Sequence, residues 1–157
     1  DILLDPKYDP MDLHCEMMLY MASRAQLVAE KILPAKQRGE LVLADRFISS
    51  TLAYQGTAGG MDAADILKVG QVAIGHAWPD LVVIFDVDEA TAAHRLNPLL
   101  DRMEQKGSEY HRRVRQGYLD QATNDPDGHL VIDARPDADT VFTTMCAGLT
   151  DRFTSKV

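Results

Sequence analysis

Three short aliphatic runs, each closed by an acid, constrain this chain more than anything else in it: Leu41-Val42-Leu43-Ala44 before Asp45, Leu81-Val82-Val83-Ile84-Phe85 before Asp86, and Leu130-Val131-Ile132 before Asp133. An apolar run without polar alternation reads as a strand covered on both faces, which is the pattern of a parallel sheet. Helical periodicity between the runs supplies the crossovers that parallel strands need. The sequence therefore predicts an α/β fold, a three-layer α/β/α arrangement with the three runs as buried parallel strands. Ligands of open α/β sheets bind at the carboxyl ends of the strands. That is where Asp45, Asp86 and Asp133 fall.

The 157 residues, 46% hydrophobic, suffice for a single domain with a substantial core. A net charge of -8 argues against a general nucleic-acid or membrane-surface binder, which needs an extended basic face. An anionic ligand must instead meet locally clustered arginines. No apolar run approaches the roughly 20 residues of a membrane span, and no signal-peptide pattern is present. A cytoplasmic protein is expected. Cys15 and Cys146 have neither CxxC spacing nor a neighbouring His, and read as small buried hydrophobes in a reducing compartment.

Along the chain, Asp9, Pro10 and Asp12 predict a helix start, and the helix is expected to run to about Ile32, where Pro34 breaks it and Gly39 closes the turn. Leu13, Met17, Tyr20, Met21, Arg24, Leu27 and Val28 recur at three- and four-residue spacing, which puts Tyr20 and Arg24 together on a largely apolar face. Arg24 there is either a ligand group or a side chain whose stem packs while its head reaches water. The segment Asp45-Arg46-Phe47-Ile48-Ser49-Ser50-Thr51 through Tyr54-Gln55 sets charge for a metal or phosphate beside hydroxyl and amide groups able to read a base or sugar. It reads equally as a salt-bridged loop. Gly56-Thr57-Ala58-Gly59-Gly60 is no phosphate loop, since Met61 and Asp62 follow it instead of Lys-Ser/Thr. Asp62 is expected to cap a helix carrying Ile66 to Ile74. The region from Arg95 to Arg115 is highly charged and contains Asn97-Pro98, a loop suited to a flap; Tyr110, Val114 and Tyr118 form the buried stripe of the next helix. Val141, Phe142, Met145, Leu149 and Phe153 give the last helix an apolar side.

Four of these segments carry a resemblance: Tyr20-Met21-Ala22-Ser23-Arg24-Ala25-Gln26-Leu27, Asp45-Arg46-Phe47 with Ser50-Thr51-Leu52-Ala53-Tyr54-Gln55-Gly56, Asp86-Val87-Asp88, and Asp101-Arg102-Met103-Glu104. In order and spacing they resemble bacterial thymidylate kinases over nearly the whole chain. The resemblance implies a P-loop nucleoside monophosphate kinase fold and ATP-dependent phosphorylation of dTMP, with Mg2+. It implies that Tyr20 stacks on thymine and that Arg24, Thr51 and Gln55 bond the base. Arg46, beside Ser50, would hold the acceptor phosphate, Tyr54 would lie by the deoxyribose, and Asp45 would orient Mg2+ through water. Arg95 and Arg102 fall in or beside a short lid, residues 95–107, that supplies charge to the transferring phosphate. Ala134 and Arg135 would border the adenine of ATP. A homodimer through the long first helix is implied as well.

The family's opening strand, its Gly-rich phosphate loop ending in Gly-Lys-Ser/Thr, the helix after it and a second strand are not in this sequence. The expectation is an acceptor site without its donor cradle: dTMP binds, and transfer by these residues alone stays near background. The alternative is a non-catalytic, dimerising remnant of the family. A phosphoacceptor receiver domain fits less well, because Asp133-Ala134-Arg135 replaces the lysine that it needs at a late strand end.

Overall fold

The computed structural model describes residues 2–3, 5–8, 11–95 and 106–154. They form two compact units, Asp1–Pro79 with Leu99–Tyr118, and Asp80–Pro98 with Leu119–Val157.

In the first unit α1 spans Leu13–Leu27. Its cap is Asp12, whose carboxylate accepts from the N–H groups of His14 and Cys15 at 2.9 and 3.3 Å; Asp9 and Pro10 lie outside the described residues. The helix does not end at Pro34. It widens into a π-helical stretch, Val28–Ile32, and continues as α2, Leu33–Gln37, until Gly39 turns it at φ +73°. The wider turn moves the carbonyls that proline's ring would otherwise strike, and a π stretch is a recognised way to absorb such a residue. Met17, Met21, Val28 and Ile32 from this rod pack with Phe47, Ile48, Ile66, Ile74 and Ala77. Each of the larger of these side chains, fully buried, contributes roughly 1.5–3 kcal/mol. Ile66 and Ile74 come from α4, Ala63–Ile74, which Asp62 caps as expected by accepting from Ala64 N–H at 2.7 Å.

The first apolar run is not a strand. Leu41 and Leu43 are 85% and 86% exposed, while Val42 between them packs on the core. A buried strand needs a neighbour to take its backbone hydrogen bonds and a layer over each face, and among the described residues the β-ladder joins only the other two runs. The short helix α3, Ile48–Thr51, follows and opens into a second π-helical stretch, Leu52–Ala58. The start of α6, Gly107–Asn124, packs on it: Tyr110 and Val114 bury with Ala53 and Ala58, flanked by Tyr54 and Tyr118.

In the second unit β1, Val82–Asp86, and β2, His129–Asp133, pair in parallel from Val82 opposite His129 to Asp86 opposite Asp133. Ile84 and Ile132 are buried, whereas Phe85 and Val131 are 51% and 42% exposed, so these strands are covered less evenly than their composition suggests. α5, Glu89–Arg95, starts where Asp88 accepts from Thr91 N–H at 2.8 Å. α7, Ala138–Thr154, packs on β2. Arg152 ties its end to the carbonyls of Pro126, Asp127 and His129 at 2.8, 2.6 and 2.7 Å. Along the apolar side of α7, Val141, Met145 and Leu149 are half-buried while Phe142 and Phe153 stand 62% and 56% exposed. Cys15 is exposed and Cys146 half-buried, so neither is the core residue that composition suggested.

Candidate functional site

The polar side chains of the first unit gather where α1 faces α3 and its π extension. Arg24, 8% exposed, donates from Nη1 to Thr51 Oγ1, itself 1% exposed, with Met21 Sδ at 4.0 Å. Its guanidinium carbon lies 5.6 Å from the Tyr20 ring and 5.8 Å from the Phe47 ring. Among the described residues no carboxylate pairs with it. Burial pulls its pKa down to about 10; the Tyr20 and Tyr118 hydroxyls oppose that pull and Arg46 adds to it. The group stays charged at neutral pH, half-solvated by aromatic faces and one hydroxyl.

Two residues before α3, Arg46 has φ +63°, a left-handed conformation that a non-glycine residue rarely adopts and that costs of order 1–3 kcal/mol. Phe47, 7% exposed, and Ile48, 2% exposed, anchor the chain immediately after the strained residue. The Arg46 side chain is exposed and lies over the Tyr54 ring at 4.4 Å with Nε 3.4 Å from Ser50 Oγ. Ser50 Oγ also meets Tyr118 OH at 2.6 Å, and Tyr110 OH donates to the Tyr54 carbonyl at 2.8 Å. Asp45, beside it, is exposed and takes part in no ion pair among the described residues, so the two do not form a surface salt bridge.

Gln55, 1% exposed, donates from Nε2 to Glu16 Oε1 at 2.6 Å, and Lys106 Nζ approaches Glu16 Oε2 at 3.8 Å. Sequence reasoning passed over Glu16. The signal was there, since residues 16, 20 and 24 follow one another at four-residue spacing on one helix face.

In the second unit Arg95 donates to the carbonyls of Ala134, Arg135 and Pro136 at 2.6, 2.8 and 3.2 Å. It therefore braces the loop after β2. Arg135 forms a two-pronged pair with Asp133 at 2.8 and 2.6 Å, which holds the Asp133 carboxyl down at about 2 and pushes the Arg135 pKa up. Arg102 lies outside the described residues, as does most of the 95–107 lid.

A family model for thymidylate kinase matches residues 1–144. The chain is 39% identical over 155 residues to a thymidylate kinase of Geobacillus sp. (strain WCH70), covering 96% of this chain and 74% of that protein. The chain belongs to the thymidylate kinase family. A thymidylate kinase of Deinococcus radiodurans is 41% identical over 156 residues, covering 97% of this chain and 74% of its own length. The crystal structure of thymidylate kinase from Ehrlichia chaffeensis is similar with a TM-score of 0.72 at 28% identity, covering 89% of this chain and 67% of that one. The fold is thus that of P-loop nucleoside monophosphate kinases, α/β with a parallel sheet, and the family and fold together support thymidylate kinase function, for which ATP is the family's phosphate donor. Of the site residues named from sequence, the first unit brings together Tyr20, Arg24 and Thr51 as one group and Arg46, Ser50 and Tyr54 as another, with Gln55 turned to Glu16. The second unit joins Arg95 to Ala134 and Arg135.

Proposed function

We propose that this chain forms the dTMP site of an ATP-dependent thymidylate kinase, with thymine against Tyr20 and Arg24, the deoxyribose by Tyr54, and the acceptor phosphate at Arg46 and Ser50. The observation that carries this is Arg24. A buried cation with no counter-ion is costly unless something else completes its hydrogen bonds, and an oxo group on a flat ring stacked on Tyr20 does so. Thr51 holds the guanidinium in place. Gln55 offers an amide to the same ring.

The transfer itself needs the acceptor phosphate oxygen in line with the γ-phosphorus of ATP, and electrostatic stabilisation of the charge that spreads over the transferring group. Arg46 supplies acceptor-side charge, and its strained backbone fixes where that charge points. Arg95 and Arg102 serve the donor side, with Ala134 and Arg135 beside the adenine. Asp45 fits an Mg2+ site: it is an exposed carboxylate that takes part in no ion pair among the described residues, and an oxygen donor of that kind would hold the ion. Mg2+ held by Asp45 would supply charge neutralisation to the phosphates. Residues 1–157 contain no Gly-Lys-Ser/Thr, so these residues alone bind dTMP and transfer phosphate only at background.

Titration calorimetry on the 157-residue chain tests the acceptor site. dTMP is expected to bind more tightly than UMP, whose 2′-hydroxyl meets the Tyr54 ring; equal affinities would remove the assignment. A coupled ATP assay on the same preparation should read background, and clear turnover would refute the donor half of the proposal. In a longer form bearing the phosphate loop, Arg46→Ala lowers kcat by roughly 10²-fold or more. α1 leaves Met18 52% exposed, which supports a homodimer through this helix, checked by light scattering. No described helix is long and apolar enough to cross a membrane, and a cytoplasmic location is part of the proposal.

A further inference from the structure

Glu16 is a buried carboxylate for which the reaction above has no use. It is 1% exposed, two turns before Arg24 on α1, and a charge at that depth persists only with partners that satisfy it. Its partners include Gln55 Nε2 at 2.6 Å and Lys106 Nζ at 3.8 Å. An ionised carboxylate only accepts hydrogen bonds. Gln55 turns its NH2 toward Glu16, which leaves Oε1 as the other end of the amide. Among the described residues Oε1 accepts no hydrogen bond from the protein, and no described side-chain polar atom cut off from solvent lacks a partner, so Oε1 is the end of the amide that keeps a small opening on a residue 1% exposed overall.

The same two elements carry a second rung, Arg24 to Thr51, with Thr51 and Gln55 one helical turn apart. One rung presents N–H donors and the other a carbonyl acceptor. We infer that Glu16 is a positioning residue for base selection, which fixes the Gln55 amide so that the site offers a donor beside an acceptor. That pair complements a pyrimidine edge carrying a 4-oxo group beside a ring N–H. It mismatches a 4-amino pyrimidine, whose edge carries an amino donor beside a bare ring nitrogen. Without Glu16 the amide rotates and serves either edge. The inference rests on the acceptor-site reading above and adds to it the residue that sets the polarity of the amide.

Calorimetry with dTMP, dUMP and dCMP on the 157-residue chain separates the two. The unaltered chain is expected to prefer dTMP and dUMP to dCMP. If it shows no such preference, the acceptor-site reading falls and this inference with it. Glu16→Gln is expected to shrink the dTMP-to-dCMP affinity ratio roughly ten- to hundredfold, since a misaligned polar pair is what such sites reject. The exchange Glu16→Gln/Gln55→Glu, which restores a donor facing an acceptor with a free oxygen outward, is expected to recover the ratio. A wild-type ratio in the single variant, or a ratio still collapsed in the exchange, overturns the role of Glu16 while leaving the site in place. Should the variants not fold, the side-chain amide protons of Gln55 in the 15N-labelled unaltered chain decide. They are expected to keep their shifts when dTMP is added, and protons that move with the ligand would mean that the NH2 end faces it.

Discussion

Arg24 and Arg135 are the same side chain in opposite circumstances. Arg24 is buried among aromatic rings with a hydroxyl for a partner, and desolvation pulls its pKa down to about 10. Arg135 is exposed, and the carboxylate two residues before it takes two of its N–H groups and pushes its pKa up. A buried cation without a counter-ion weakens the fold and holds hydrogen-bonding capacity in reserve for a ligand. An exposed cation with its own counter-ion holds little in reserve and adds little to stability. The contrast gives the Arg24 side the hydrogen-bonding capacity that the proposed acceptor site needs.

The largest effect that follows is at Arg24. Because its folded-state pKa lies below the unfolded value, its burial is a stability cost at every pH where it is charged, neutral pH included. Arg24→Met is therefore expected to lose dTMP binding by roughly a hundredfold, about 3 kcal/mol, with a melting temperature equal to or above that of the parent chain. Arg135→Met is expected to leave the melting temperature unchanged. Calorimetry and thermal melts read both, and normal dTMP binding by the Arg24 variant would erase the contrast.

Packing offers a second way to test the difference. A Cβ at Gly117 would stand 2.7 and 2.8 Å from Thr57 and 3.0 Å from the Ala53 backbone, where α6 closes on the π stretch that bears Tyr54 and Gln55. At Gly148 in α7 the Cβ would meet only the tips of Leu130, at 3.0 and 3.1 Å, which can rotate away. Alanine in a helix gains about 1 kcal/mol over glycine. Gly148→Ala is expected to be neutral to slightly stabilising, whereas Gly117→Ala loses about 1–2 kcal/mol net to overpacking. Denaturant melts compare them, and equal effects would mean that the acceptor side is no more tightly built.

The smallest effect is acid titration of the Asp133–Arg135 pair. The Asp133 carboxyl is held at about 2, chiefly by its hydrogen bonds from Arg135, so the stability it lends is complete above the unfolded value of 3.8 and disappears as pH falls through about 2. Asp133→Asn should slightly flatten the loss of stability between those pH values and leave neutral-pH stability nearly unchanged, because the pair is exposed. A large loss at neutral pH would contradict that.

Much of the site was legible without the fold. Tyr20 and Arg24 fall on one face by helical spacing alone, and Asp62 as a cap follows from its side-chain chemistry. Local rules of that kind depend on neighbours within a turn or two, which the chain itself supplies. Gln55 could be named from sequence but not oriented, since its amide polarity depends on Glu16, thirty-nine residues away in the chain. The reach of Arg95 to the Ala134, Arg135 and Pro136 carbonyls was equally hidden, because a long side chain near a charged loop fits many partners.

The three aliphatic runs mark the same boundary. Sequence by itself determined that each is apolar, short and bounded by an acid, and for Val82–Asp86 and His129–Asp133 that sufficed, because each finds the other as a parallel neighbour. Leu41–Ala44 reads the same but turns Leu41 and Leu43 to solvent and packs only Val42 on the core. Apolar character is a property of residues, whereas a strand is a property of pairs, since its backbone hydrogen bonds close only on a neighbour that the tertiary structure provides.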